Sequence, residues 1–166
     1  MYGTTGGASR REPAAEAAAC HEYRSWPHEL GGRVLGTHRL QRLCRDDQEA
    51  YLIRHDSCDE LVGYVSLSNI VRRAFQSAQL GYGAFASHAG RGLMMQGLGA
   101  VIEVCFQELG LHRLEANIQP TDEPSLAIVR KLGFEREGYS PRYLMVDSDW
   151  RDHERWAIRT ETWHPS

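Results

Sequence analysis

Apolar residues change their spacing along this chain in an orderly way, and each change predicts an element. Met94, Leu98, Val101, Ile102, Cys105, Phe106 and Leu109 recur at steps of three and four, with Gln96, Glu103, Gln107 and Glu108 on the other side. That spacing predicts an amphipathic helix, and Gly110 sits where a glycine ends one. "HRLEANIQP" then alternates strictly. Leu114, Ala116 and Ile118 face one way and Glu115, Asn117 and Gln119 the other, as on a strand with one buried face. "TDEPSLAIVRKLGF" opens with Asp122 and Pro124 and closes with Gly133, which predicts a second helix stopped at both ends. Upstream, "AYLIRH" (50–55) and "ELVGYVSLSNI" (60–70) read as an antiparallel hairpin across "DSCD". A third strand, "SAQLGYGAFA" (77–86), puts Leu80, Tyr82, Ala84 and Ala86 on one side and Gly81, Gly83 and Phe85 on the other. "YLMVDS" and "HERWAIRTE" form a last hairpin through "DSDW". Sparse apolar residues over 13–26 and 37–50 suggest two further helices, with a break at Gly31-Gly32. Helices, three antiparallel strands, helix, strand, helix and hairpin together predict an α+β domain with a mixed sheet, not a doubly wound one.

Composition narrows the class. The chain has 166 residues, 42% of them hydrophobic, which suits one domain with a real core. We expect a flexible end over 1–12 and a single domain over 13–166. A formal charge of -3 and a pI near 6.2 argue against holding nucleic acid by bulk electrostatics. Cys20, Cys44, Cys58 and Cys105 show no CxxC spacing, and no apolar run approaches the roughly 18 residues of a membrane span. "AAEAAAC" is too short and too acidic for a signal sequence. The expectation is a reduced, soluble, cytoplasmic protein without a membrane partner, for which a monomer and a homodimer both fit.

"HAGRGLM" (88–94) carries the first chemical hint. Glycines at a helix start let an anion approach the unsatisfied N–H groups there, so Gly90-Arg91-Gly92 is a candidate phosphate turn; a tight turn that binds nothing is the alternative. No P-loop pattern is present, and the dinucleotide fingerprint fails at Met95, where its third glycine would stand.

"AGRGLM" resembles the Q/R-x-x-G-x-G/A pyrophosphate loop of the GNAT superfamily of acetyl-CoA-dependent N-acetyltransferases. The stretch "LHRLEANIQPTDEPSLAIVRKLGFEREGYSPRYLMVDSDWRDHERWAI" is similar to the branch that acetylates the N-terminal alanine of ribosomal proteins. The resemblance spans about residues 50–160 and implies a mostly antiparallel mixed sheet flanked by helices. The usual first strand is not recognisable, since "CHEYRSWP" resembles the end of the family's first helical region. Ala89 and Met94 depart from the loop pattern, and Asp122 replaces an asparagine that contacts the cofactor arm. Asp loses the NH2 donor and adds negative charge beside an anionic cofactor.

The resemblance implies acetyl-CoA as co-substrate, no metal, and direct attack by a free amine on the thioester. Cofactor contacts then fall on Ala84, Phe85, Ala86, Ala89, Gly90, Arg91, Gly92, Leu93, Met94, Asp122, Ser125 and Arg130, the pantetheine arm entering where the fourth and fifth strands of that fold splay. A backbone N–H in that gap polarises the thioester carbonyl. Ser125 is the candidate proton donor to the leaving thiolate, with capping of the second helix as its alternative role. A related branch has a glutamate before the tyrosine corresponding to Tyr143, but Arg142 stands here. Glu115 is therefore the candidate base, a salt-bridged or solvated carboxylate being its alternative. The acceptor itself lowers the demand: an α-amine of pKa about 8 is about a tenth neutral at pH 7, a lysine amine below about 0.1%. Tyr82, Asn117, Tyr139 and Tyr143 are acceptor-side candidates, with plain aromatic packing the alternative for the tyrosines. Arg130 and Lys131 suit the nucleotide phosphates or a solvated helix face. His112 and His153 lack metal-ligand companions, and "WRDH" (150–153) fixes the last hairpin. Protein N-termini are the favoured acceptor; a small-molecule amine, or an acyl-CoA-binding protein without turnover, is the alternative.

Overall fold

The computed structural model describes residues 32–35, 38–45, 48–85 and 90–164. The helix expected over 13–26 lies outside them. The chain forms β1 (Gly32–Leu35), β2 (His38–Arg45), β3 (Gln48–His55), β4 (Leu61–Val71), β5 (Ser77–Ala84), α1 (Leu93–Gln107), β6 (Arg113–Ile118), α2 (Glu123–Lys131), β7 (Glu135–Val146) and β8 (Asp149–Arg159). They build one eight-stranded sheet in the order β1-β2-β3-β4-β5-β6-β8-β7. β5 and β6 are parallel, joined by α1 as a crossover, and the other neighbours are antiparallel.

The helix expected over 37–50 is a correction: β2 and the start of β3 occupy it. Leu40 and Leu43 stand three apart, as on a helix face. Pairing of residues 38–41 with β1 and of His38–Arg45, over eight register positions, with β3 overrides that short local pattern. The described sheet thus starts at Gly32, before the first strand expected from the sequence.

Elsewhere the periodicities hold. α1 buries Met94, Leu98, Val101, Ile102, Cys105 and Phe106, and β6 buries Leu114, Ala116 and Ile118. Each large aliphatic side chain in that set stabilises the fold by about 1.5–3 kcal/mol. α2 buries Leu126 and Val129, and its amphipathic face joins the same core. Asp122 caps it by accepting a hydrogen bond from the Ser125 N–H at 3.2 Å, and Pro124 falls in its first turn. Both helices cover one sheet face. Position 97 of α1 lies against Ile53, while Tyr82, two steps along β5 from Leu80, reaches Ser125 of α2. The last hairpin is longer than expected, since β7 already begins at Glu135, and it turns at Asp147-Ser148, both with positive φ.

Among the described residues no helix is long and apolar enough to cross a membrane.

Candidate active site

The sheet parts at its parallel pair. β5 and β6 are in register from Ser77↔Arg113 to Leu80↔Ala116 and no further. Among the described residues, β5 then runs on to Ala84 paired only with β4, and β6 runs on through Asn117 and Ile118 paired only with β8. A gap opens between Gly81–Ala84 and the end of β6. The Phe85 N–H donates to the Val62 carbonyl at 2.9 Å, so the alternation of an antiparallel ladder turns the main-chain groups of Ala84 and Tyr82 away from β4 and into the gap. The same parity aims the Gln76 carbonyl at β6, where it accepts from the His112 N–H at 2.7 Å. The expected pantetheine contacts therefore divide. The main-chain groups of Ala84 face the gap, the Phe85 N–H is already committed, and Ala86 and Ala89 lie outside the described residues.

The glycine turn follows at the C-terminal end of β5. Gly90 and Gly92 have φ of 75° and 76°, in the left-handed region that side chains resist. Among the described residues no atom lies within 4 Å of where a Cβ would sit on either, so conformation rather than crowding explains glycine there. Gly92 is the N-cap of α1, and neither a side-chain cap nor an acidic residue occupies the first turn. Among the described residues no side chain caps the N–H groups of that turn, which with the partial positive charge of the helix end suit an anion. Gly90, Arg91 and Gly92 are exposed, Leu93 is half-buried, and Met94 points into the core, so its possible contribution to a ligand is its main chain.

α2 borders the gap from the helix side. The Tyr82 hydroxyl donates to the Ser125 carbonyl at 2.9 Å and ties β5 to the first turn of α2. Burial pushes the Tyr82 phenol well above its ordinary pKa; hydrogen bonding from the Ser125 side chain opposes this and the Asp122 charge adds to it. Tyr82 consequently keeps its proton throughout the physiological range. Asp122 is engaged as the helix cap, and its side chain holds the Ser125 N–H.

The remaining candidates are placed as follows. Glu115 projects from the face opposite the helices, one register step before the gap and opposite Gln79. Arg113 Nε holds its carboxylate at 3.0 Å. Arg113 also forms a two-pronged pair with Glu137, and Arg159 joins Glu137 at 3.4 Å and Glu135 at 2.7 Å. The Arg113 fork holds Glu137 below the usual carboxylate range. Arg130 lies over the Trp156 ring at 5.5 Å and meets Glu123 at 3.4 Å; Lys131 is exposed. Tyr139 and Tyr143 stand on β7, separated from the gap by β8. Tyr139 donates to Asp152, which also accepts the Arg142 N–H at 2.7 Å. Arg142, at φ 49°, sits in a bulge where Ser140–Leu144 spans only His153–Arg151 of β8. The Tyr143 ring packs 5.8 Å from that of buried His153, whose Nδ1 bonds the Arg151 carbonyl at 3.0 Å. Asp152 of "WRDH" is therefore the residue that pins the bulge.

The structure thus brings together Tyr82, Ala84, Asn117 and Ser125 around one gap, with the glycine turn at the end of β5. Tyr64 was not singled out by the sequence: a Cβ on Gly83 would come 2.8 Å from its ring, so it lies across β5 beside the gap. A tyrosine followed across the ladder by alternate glycines is the signal for it. Among the described residues no group of His, Cys, Asp and Glu is arranged to hold a metal.

A strand that parts from its parallel neighbour beside an uncapped helix start offers main-chain groups to an extended ligand that ends in an anion. Residues 11–135 match the family model of the acetyltransferase (GNAT) domain, and the chain belongs to that family. Among its relatives is the probable N-acetyltransferase YjcK of Bacillus subtilis, 36% identical over 128 residues that cover 77% of this chain and 71% of that protein. The [ribosomal protein uS5]-alanine N-acetyltransferase of Escherichia coli is 39% identical over 106 residues, 64% of this chain and 55% of its own length. Mycobacterium smegmatis RimJ, solved in complex with CoA-disulfide, superposes with a TM-score of 0.66 at 36% identity, over 69% of this chain and 54% of that one. The chain therefore spans little more than half the length of those last two.

Proposed function

We propose that this chain transfers the acetyl group of acetyl-CoA to a primary amine, and that the amine is the α-amine of a protein N-terminus. The observation that carries this reading is the parting of β5 and β6 after Leu80↔Ala116, beside the uncapped N-terminus of α1. The diphosphate of CoA sits on the main-chain N–H groups at Gly92, Leu93 and Met94, flanked by Gly90 and Arg91. The pantetheine arm then lies along Ala84 as an added strand. The thioester carbonyl takes a hydrogen bond from an N–H of β5 that faces the gap, which stabilises the oxyanion as the amine nitrogen attacks the carbonyl carbon. The C–S bond breaks, the thiolate takes a proton, and the new amide gives one up.

Ser125 is the proton donor to the thiolate, held in place by the Asp122 cap on its N–H and the Tyr82 bond to its carbonyl. Removal of the amine proton asks little at an N-terminus, where about a tenth of the acceptor is already neutral at pH 7. Water at the cleft mouth takes that proton, with Glu115 on the same sheet face, one register step before the gap. The preference for a protein N-terminus draws on the similarity to the uS5-alanine acetyltransferase.

The test is release of free thiol from acetyl-CoA with three acceptors. An alanine-initiated peptide should react, while the same peptide blocked at its N-terminus but carrying lysine should not. Faster turnover with spermidine would move the acceptor class to small amines. No thiol with any amine, despite acetyl-CoA binding by calorimetry, would leave a binding protein without turnover.

A further inference from the structure

Asn117 is where the gap and an unmet hydrogen bond coincide. It is the first residue of β6 past the last β5 pair, and it shares the sheet face of Arg113 and Glu115, away from α1 and α2. Among the described residues its side-chain oxygen is buried without a hydrogen-bond partner. A buried acceptor in that condition carries its desolvation cost uncompensated, and folded proteins seldom keep one unless something arrives to meet it. What faces it is equally specific. Continuing the register puts Gly81 opposite Asn117, with Gly83 next on the same face, so β5 contributes no side chain to that side of the gap. Ser66 and Tyr64 of β4 wall this lane instead: a Cβ at Gly81 would come 2.8 Å from the Ser66 hydroxyl, and one at Gly83 would come 2.8 Å from the Tyr64 ring.

Resting on the acetyl-transfer reading, we propose that the Asn117 carboxamide oxygen is the docking point of the acceptor amine. The thioester lies between the strands with its CoA body on the helix side, so the nucleophile enters from the opposite face, where Asn117 stands. A neutral primary amine has two N–H groups and one lone pair. Donating one N–H to Oδ1 turns the lone pair toward the carbonyl carbon and supplies the missing bond. Asn117 is then an acceptor-binding residue that exchanges no proton. The glycine lane selects an amine on a slim carbon chain that carries at least one N–H to donate.

The role separates from a structural one because function and stability move apart. Replacing a buried, unpaired acceptor removes a liability, so Asn117→Ala should melt no lower than the wild type. It should bind acetyl-CoA with a Kd within about twofold and lose about tenfold in kcat/KM for an alanine-initiated peptide, a single hydrogen bond's worth. Asn117→Asp, which keeps an acceptor oxygen, should recover most of that loss. An Asn117→Ala enzyme as active as wild type would overturn the proposal, as would an activity loss that tracks a lowered melting point. Wild type that releases no thiol with the peptide would instead overturn the acetyl-transfer reading, and this proposal with it.

Discussion

Tyr82→Phe tests the brace across the gap. The substitution keeps the ring and its packing, so no cavity forms, and it deletes one hydroxyl donor to the Ser125 carbonyl at 2.9 Å. A neutral hydrogen bond contributes about 1 kcal/mol net, and a carbonyl stripped of its partner in a half-buried place adds a cost of similar order. The expected loss is about 1–2 kcal/mol, readable as a lower urea midpoint at unchanged m-value. The phenol gives a second, independent reading. Its pKa is raised in the folded state, so above pH 10 the unfolded chain releases a proton that the folded chain keeps. Tyr82 therefore makes its full contribution below that pH and loses it as pH rises, at about 1.4 kcal/mol per pH unit. Denaturation series at pH 8 to 11 should show a steeper decline for wild type than for Tyr82→Phe. A stability change below about 0.3 kcal/mol, or parallel alkaline limbs, would refute the claim that this hydroxyl is buried and bonded across the cleft.

Other outcomes follow from the same geometry. Gly92→Ala and Gly110→Ala both force a side chain into a positive-φ position with no neighbour within 4 Å among the described residues, so each should cost about 1–2 kcal/mol. Only Gly92→Ala, at the helix start, should also weaken acetyl-CoA in calorimetry. Asp122→Ala should destabilise by about 1 kcal/mol through loss of the cap, whereas Asp122→Asn should keep the cap and tighten acetyl-CoA by removing a negative charge beside it. Glu137 and Asp152 titrate below their ordinary values in the folded state, so they stabilise above about pH 4.5 and that contribution fades as pH falls. Glu137→Gln should flatten the acid limb of a pH–stability profile.

What the sequence disclosed was what lies close along the chain. α1 could be read from apolar steps of three and four, β6 from strict alternation, and α2 from Asp122, Pro124 and Gly133, because each signal is complete within one element. β2 was misread because Leu40 and Leu43 imitate a helix face locally, while the evidence for a strand is its pairing with β1 and β3. The Tyr82–Ser125 bond joins residues 43 apart, and the bulge around Arg142 depends on Asp152 of the next strand. Neither leaves a trace in periodicity. The Arg113–Glu115 pair was within reach, since residues two apart on a strand share a face. The gap itself follows from where pairing stops, at Leu80 and Ala116, and nothing in those two residue types announces an end.

The central claim is that main-chain donors at the start of α1 and along Ala84 hold acetyl-CoA. Titrating the isotope-labelled protein with coenzyme A and following backbone amide shifts tests it directly. The largest movements should fall on Gly92, Leu93, Met94 and Ala84, with Gly110 at the far end of α1 unmoved. Saturable binding that leaves those four amides in place and shifts others would contradict the account.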